Sequence, residues 1–259
     1  MRAGDILLLI VIAASAVFVA YDASSGGAGE RWARDALPGL GETLGQGLGW
    51  TGWVLSPLLL LPLLAALWAS FASAPAGLIR LLKRAINAID AVNTAIADAA
   101  RWFALGLVLV TAIIVVQRYV FGLSFTPLQE SVVYMHALLF LLSAAATLLA
   151  GGHVRVDIIY SKLPDSSKAW TDIAGTYLAL LPMCWLILDT SRSYVGGAWR
   201  ILERSRESDG LALVFLLKTA IPVFAVMMIA QGAAMAARAA LTLANEDQPP
   251  RPRAVETEL

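Results

Sequence analysis

Charge is what this sequence has least of. Only 15% of its 259 residues are Asp, Glu, Lys or Arg, against roughly 25% in an ordinary soluble domain, so there are too few charges to cover a water-facing surface. Cysteine is almost absent. Cys184 stands alone in an apolar stretch, which excludes an internal disulfide and points to an inert, buried thiol; it carries no information about redox compartment. There are two histidines, and no P-loop, HExxH pair, nucleophile elbow or His/Cys cluster with metal-ligand spacing. The familiar routes to a catalytic or metal site are therefore missing, and neither catalytic, substrate-binding nor metal residues are expected. A formal net charge of zero supplies no basic field for nucleic acid. The apolar stretches also lack the polar/apolar alternation of a transmembrane strand.

What is present is a series of long charge-free windows at 6–21, 43–79, 102–117, 131–154, 173–188 and 219–237. A helix crossing a hydrocarbon layer of about 30 Å needs about 20 mostly apolar residues at 1.5 Å each. Several windows reach that length alone, and the others reach it with flanking Trp, Tyr and snorkelling Arg. The expected fold class is all-α: a polytopic helical membrane protein with about six transmembrane helices plus one in-plane amphipathic helix.

Four regions follow. Residues 1–75 form a two-helix membrane extension. Its first span is expected to stay uncleaved, because Phe18 and Ala20 before Tyr21 make a poor small-x-small cleavage site. Asp22 to Gly49 reads as a polar, glycine-rich loop, whose GxGxxG at Gly47–Gly52 follows no strand and so has no phosphate-binding context. Pro57 and Pro62 are expected to kink the second span, which Pro75 closes. Residues 76–101 form an amphipathic connector. Leu78, Leu82, Ile86, Ile89, Val92 and Ile96 recur on one face, with Arg80, Lys83, Arg84, Asn87, Asp90, Thr94 and Asp98 opposite, a pattern suited to the headgroup plane or to a partner. A plain lead-in to the next span is the alternative. Residues 102–240 hold four spans, at about 102–121, 131–150, 169–190 and 211–239. Residues 241–259, with Pro249, Pro250 and Pro252, form a disordered cytoplasmic tail.

Lys and Arg set orientation. With both termini cytoplasmic, 11 basic residues fall inside and 7 outside, a modest bias toward that arrangement. Ionisable groups in or beside spans are the functional candidates. His136 and His153 are 17 residues apart on or near one helix, about 25 Å along its axis, so they cannot ligate one haem from opposite sides, and no cofactor is expected. Glu130 opens the fourth span, Asp189 closes the fifth, and Lys218 lies in the sixth near the same face. A buried ammonium needs a partner, and Lys218 is expected to reach Glu130 or Asp189, or else to snorkel. At the other end of the fourth span, Gly151 and Gly152 allow a tight helix exit. His153, Arg155 and Asp157 then alternate with Val154 and Val156, as a capped helix end or a docking loop.

Arg118-Tyr119-Val120-Phe121, Ser124, Leu128-Gln129-Glu130 and His153-Val154-Arg155-Val156-Asp157 resemble, in order and spacing, the small permease subunit of tripartite ATP-independent periplasmic (TRAP) transporters. The resemblance covers about 102–240. Lys168-Ala169-Trp170 and Lys218-Thr219-Ala220-Ile221-Pro222 look like its mannitol/chloroaromatic branch, which includes 2-oxo acid systems. The chain departs from many members in having Pro127 and Gln129-Glu130 where they carry Trp and paired acids. The resemblance implies a non-catalytic, scaffold-like subunit of a sodium-driven importer of organic acids. Its implied partners are a large TRAP permease subunit, a periplasmic substrate-binding protein and the lipid bilayer. It also implies subunit-interface or structural roles for Arg118, Glu130, His153, Arg155, Asp157, Asp189 and Lys218. A membrane anchor of a respiratory enzyme, binding haem or quinone, and a self-sufficient channel or carrier are the competing readings.

Overall fold

The computed structural model describes residues 2–153 and 157–251, and the regular structure among them is helical throughout. Ten α-helices follow in order: α1 (Ala3–Ser24), α2 (Ala28–Leu55), α3 (Leu61–Ala69), α4 (Ala76–Ala100), α5 (Trp102–Val120), α6 (Thr126–Leu149), α7 (Asp157–Tyr160), α8 (Asp165–Gly175), α9 (Leu181–Arg200) and α10 (Val214–Leu243). Among the described residues, five helical stretches are long and apolar enough to cross a membrane: Ala3–Ser24, Ala76–Val120, Thr126–Leu149, Asp165–Arg200 and Val214–Leu243.

The second expected span is shorter. Pro57 lies in a 3-10 segment, Ser56–Leu60, and Pro62 sits in the first turn of α3. The apolar run is thereby confined to Ser56–Ala69, because a proline offers no N–H and is tolerated best at a helix start. The stretch expected to be a loop from Asp22 to Gly49 is mostly helix. Gly26 and Gly27 take positive φ at the α1–α2 turn, and the Asp22 carboxylate accepts from the Glu30 N–H in the first turn of α2. The helix carrying Asp189 also runs on to Arg200, so that carboxylate does not close it.

The chain divides into two compact units. The first comprises Met1–Trp50, Ala95–Ser143 and Asp189–Val223. Its packing relies on glycines at close approaches. A Cβ on Gly4 would lie 2.2 Å from the Ala95 carbonyl oxygen, so α1 rests directly on the backbone of α4. Gly41 of α2 faces the Trp199 ring, and Gly106 of α5 faces the Met135 sulfur of α6. Trp199 in turn donates its indole N–H to Thr219 at 2.8 Å and meets Phe215 edge-on, with ring centroids 4.9 Å apart.

The second unit comprises Thr51–Thr94, Ala144–Leu188 and Phe224–Leu259. Ala65 and Ala66 of α3, Leu82 and Ile86 of α4, and Ala169 and Ile173 of α8 are buried against a small-residue face of α10 that includes Ala234, Ala236, Ala237 and Ala240. Small side chains let helix backbones approach, which is how helices associate where lipid is as apolar as they are. Between α8 and α9 the helix widens into a π segment, Thr176–Leu180. Its Leu180 lies over Gly232 of α10, and its Tyr177 hydroxyl bonds the Leu59 carbonyl in the 3-10 segment. The tail expected to be disordered is in part ordered: Glu246 pairs with Lys83 at 2.9 Å, and Gln248 donates to the Arg238 carbonyl. Residues 252–259 of that tail lie outside the described residues.

Candidate functional site

The amphipathic helix α4 buries Leu82, Ile86, Asp90 and Asn93, at positions i, i+4, i+8 and i+11. One helical stripe contains all four, so the expectation that put Asp90 on the face opposite Leu82 and Ile86 is overturned. Val92, placed on the apolar face by its spacing, is instead 57% exposed. Asp90 is buried because it has a partner. Both of its oxygens accept from the Arg238 guanidinium of α10, at 2.5 Å and 3.3 Å. Gln231 donates to Asp90 Oδ1 at 3.2 Å, and its own amide oxygen accepts from Asn93 at 2.7 Å. Arg238 is 1% exposed and Gln231 fully buried. This chain of bonds ties α4 to α10 and leaves the Arg238 Nε without a partner. Sequence reasoning missed it, although Asp90 four residues after Ile86 was a usable signal.

A second set of charges lies in the first unit. Arg2 pairs with Asp98 at 2.8 Å, while Arg101 reaches Asp5 at 2.6 Å and Asp98 at 3.2 Å. The Trp102 indole N–H also donates to Asp5. Two cations and two carboxylates thus fasten the start of α1 where α4 gives way to α5. The Arg2 guanidinium is raised above its ordinary pKa chiefly by its bond to Asp98.

The third set surrounds the connection between α9 and α10. Glu130, at the start of α6, accepts from the Ser205 hydroxyl and, at 2.6 Å, from the Leu211 backbone N–H. Ser205 N–H donates to the Leu211 carbonyl across the loop. A Cβ on Gly210 would meet the Ser205 side chain and Glu130 at under 3.0 Å, so the loop closes tightly around this carboxylate. Lys218 is half-buried and pairs with Glu203 at 2.5 Å, with its ammonium 3.9 Å from the centre of the Tyr194 ring. The expected partner was Glu130 or Asp189. The loop folds back to supply a nearer carboxylate, and Glu130 is already occupied by that same loop.

The remaining candidates are dispersed. Arg118 is exposed at the end of α5, and Asp189 is exposed on α9. Gly151 takes φ of +69°, with Gly152 N–H bonded to the Thr147 carbonyl and Gly151 N–H to that of Leu148. That is the helix exit the two glycines implied. His153 follows, exposed. Arg155, with Val154 and Val156, lies outside the described residues, and Asp157 opens α7. Among the described residues, no group of three or more His, Cys, Asp or Glu converges as metal ligands would. The three charge sets make contacts within this chain, so the arrangement does structural work at each of them.

The family described as "Tripartite ATP-independent periplasmic transporters, DctQ component" matches residues 107–242, just over half of the chain. No curated protein and no solved structure matches it.

Proposed function

The chain belongs to the DctQ family of tripartite ATP-independent periplasmic transporters, and from that premise we propose that it is the small, scaffold-like membrane subunit of a sodium-driven organic-acid importer. In this reading it stabilises a large permease subunit, which holds the transported solute, and helps dock a periplasmic binding protein. Both termini are cytoplasmic, on the distribution of Lys and Arg. The family supports a transporter component over a respiratory anchor, and 2-oxo acids or related carboxylates are the substrates suggested by the branch its motifs resemble.

The observation that carries the scaffold role is how the charged groups are used. Asp90, Glu130, Lys218 and Arg238 each bond other parts of this chain. A subunit that bound solute or ion would keep such groups facing a cavity. Here they fix one helix or loop against another.

The test is reconstitution. The chain is expressed with a large permease and a binding protein of the same family of transporters, and uptake of labelled carboxylate is measured in liposomes with a sodium gradient. Uptake should require the chain, and the large subunit should co-purify with it. Full uptake by the large subunit and binding protein without the chain would overturn the proposal.

A further inference from the structure

Helix α6 carries a polar side chain in a place lipid cannot satisfy. Among its residues, Gln129, Val133, His136 and Phe140 are exposed. Spacings of four, three and four put them on a single stripe. Val133 is 61% and Phe140 67% exposed. His136 lies between them, ten residues from Thr126 and thirteen from Leu149. At 1.5 Å per residue that is about 15 Å and 20 Å from the two ends, well inside a hydrocarbon layer of roughly 30 Å. Among the described residues, no hydrogen bond, ion pair or ring contact reaches the imidazole.

The other faces of α6 are taken. Met135 lies against Gly106 of α5, and Glu130 holds the loop between α9 and α10. The neighbouring α5 offers a contrast. Its exposed residues within the span include Leu105, Val108, Leu109, Ile113 and Val116, a hydrocarbon surface that lipid tails cover at no cost. A neutral imidazole has one donor and one acceptor nitrogen, and acyl chains offer partners for neither. Polar groups in a bilayer accordingly face protein or water.

We propose that the Gln129–Val133–His136–Phe140 stripe of α6 is the surface on which this chain meets the large permease subunit within the membrane, through a helix that gives His136 a hydrogen-bonding partner. The proposal rests on the small-subunit reading above. A second copy of this chain fits less well: two identical imidazoles across a twofold axis bond only by becoming unlike. A different helix, with its own donor or acceptor at that depth, satisfies the ring without that conflict, while Val133 and Phe140 supply the apolar contact on either side.

The experiment places a photoreactive residue at Val133, His136 or Phe140, and as controls at Leu105, Val108 or Val116 of α5, in cells expressing the whole transporter. Each position is exposed, so the fold tolerates the probe. Stripe positions should give an adduct with the large subunit at least fivefold more often than the α5 positions. His136→Leu should reduce the co-purified large subunit about threefold, the size of one ordinary interhelical hydrogen bond. His136→Gln, which keeps a donor and an acceptor, should retain it. Equal yields from the two helices, adducts only with a second copy of the chain, or none while the large subunit still co-purifies, would overturn the stripe alone. Failure of the wild-type chain to co-purify with the large subunit would overturn the small-subunit reading itself.

Discussion

Replacing Asp90 with alanine tests whether a buried ion pair holds α4 to α10. The substitution removes both acceptors of the Arg238 guanidinium and one partner of Gln231. Arg238 is 1% exposed and Gln231 is 0% exposed, so water cannot replace what is lost without opening the core. Breaking one side of a buried pair costs about 3–5 kcal/mol. For a chain of this size each kcal/mol is worth roughly 2–4 °C of melting temperature, so a fall on the order of 10 °C is expected. Unfolding in mild detergent, followed by tryptophan fluorescence, measures it. The double variant Asp90→Leu/Arg238→Met removes both charges and should lie close to wild type, since apolar replacement of a buried pair is often neutral or stabilising. The cycle of wild type, two single variants and double variant then gives a coupling of at least ~3 kcal/mol. A loss under about 3 °C for Asp90→Ala, or a double variant as unstable as the two singles combined, would refute the reasoning.

Two further outcomes follow from close contacts. Gly4→Ala should detach the start of α1 from α4, because its Cβ meets backbone atoms of Ala95 and Ala99; a loss of about 1–3 kcal/mol is expected in the same unfolding assay. Gly232→Ala should cost well under about 1 kcal/mol, since the obstructing atom is the mobile end of Leu180. Glu130→Ala should release the loop at Ser205 and Leu211 and speed tryptic cleavage after the exposed Arg204 and Arg206 about tenfold or more, as hydrogen bonds to a charged group contribute about 1.5–3 kcal/mol. Cleavage at the wild-type rate would show that Glu130 does not hold the loop.

What could be read from the sequence was whatever depends on local pattern. Charge-free length located the long helices, Gly151-Gly152 located a helix exit, and Pro57 with Pro62 located a break. Features that depend on distant contacts were not legible. Glycines from Gly39 to Gly52 lower helix propensity, and the segment read as a loop. It is helical where Asp22 caps it, Arg34 pairs with Glu30 one turn away, and Gly41 meets Trp199. Asp189 marks the end of a hydrophobic run but not of its helix, which continues to Arg200, because a charge ends the first without ending the second. Lys218 found Glu203 because the loop before α10 folds back around Glu130, a geometry that chain order does not encode. Asp90 was misplaced because a charge on an amphipathic helix reads as solvent-facing until its partner, 148 residues away, is known.

The ionisable groups therefore separate by who satisfies them, and that separation bears on assembly. Asp90 with Arg238, Lys218 with Glu203, Glu130 with its loop, and the Arg2–Asp5–Asp98–Arg101 set are all completed within one chain. None of these needs another subunit, so the fold they support does not wait for assembly. The spacing of His136 to His153 excludes one shared haem. The exposure of His136 well inside α6 gives it a different meaning. A group that costs free energy in lipid and nothing in a complex makes association more favourable than isolation, without strengthening the fold itself. His136→Leu should thus weaken the bond to a partner while leaving the stability of the separate chain unchanged, the reverse of what Asp90→Ala does. Of the interface candidates, Glu130 and Lys218 hold the subunit together, while His136 points to where it joins another.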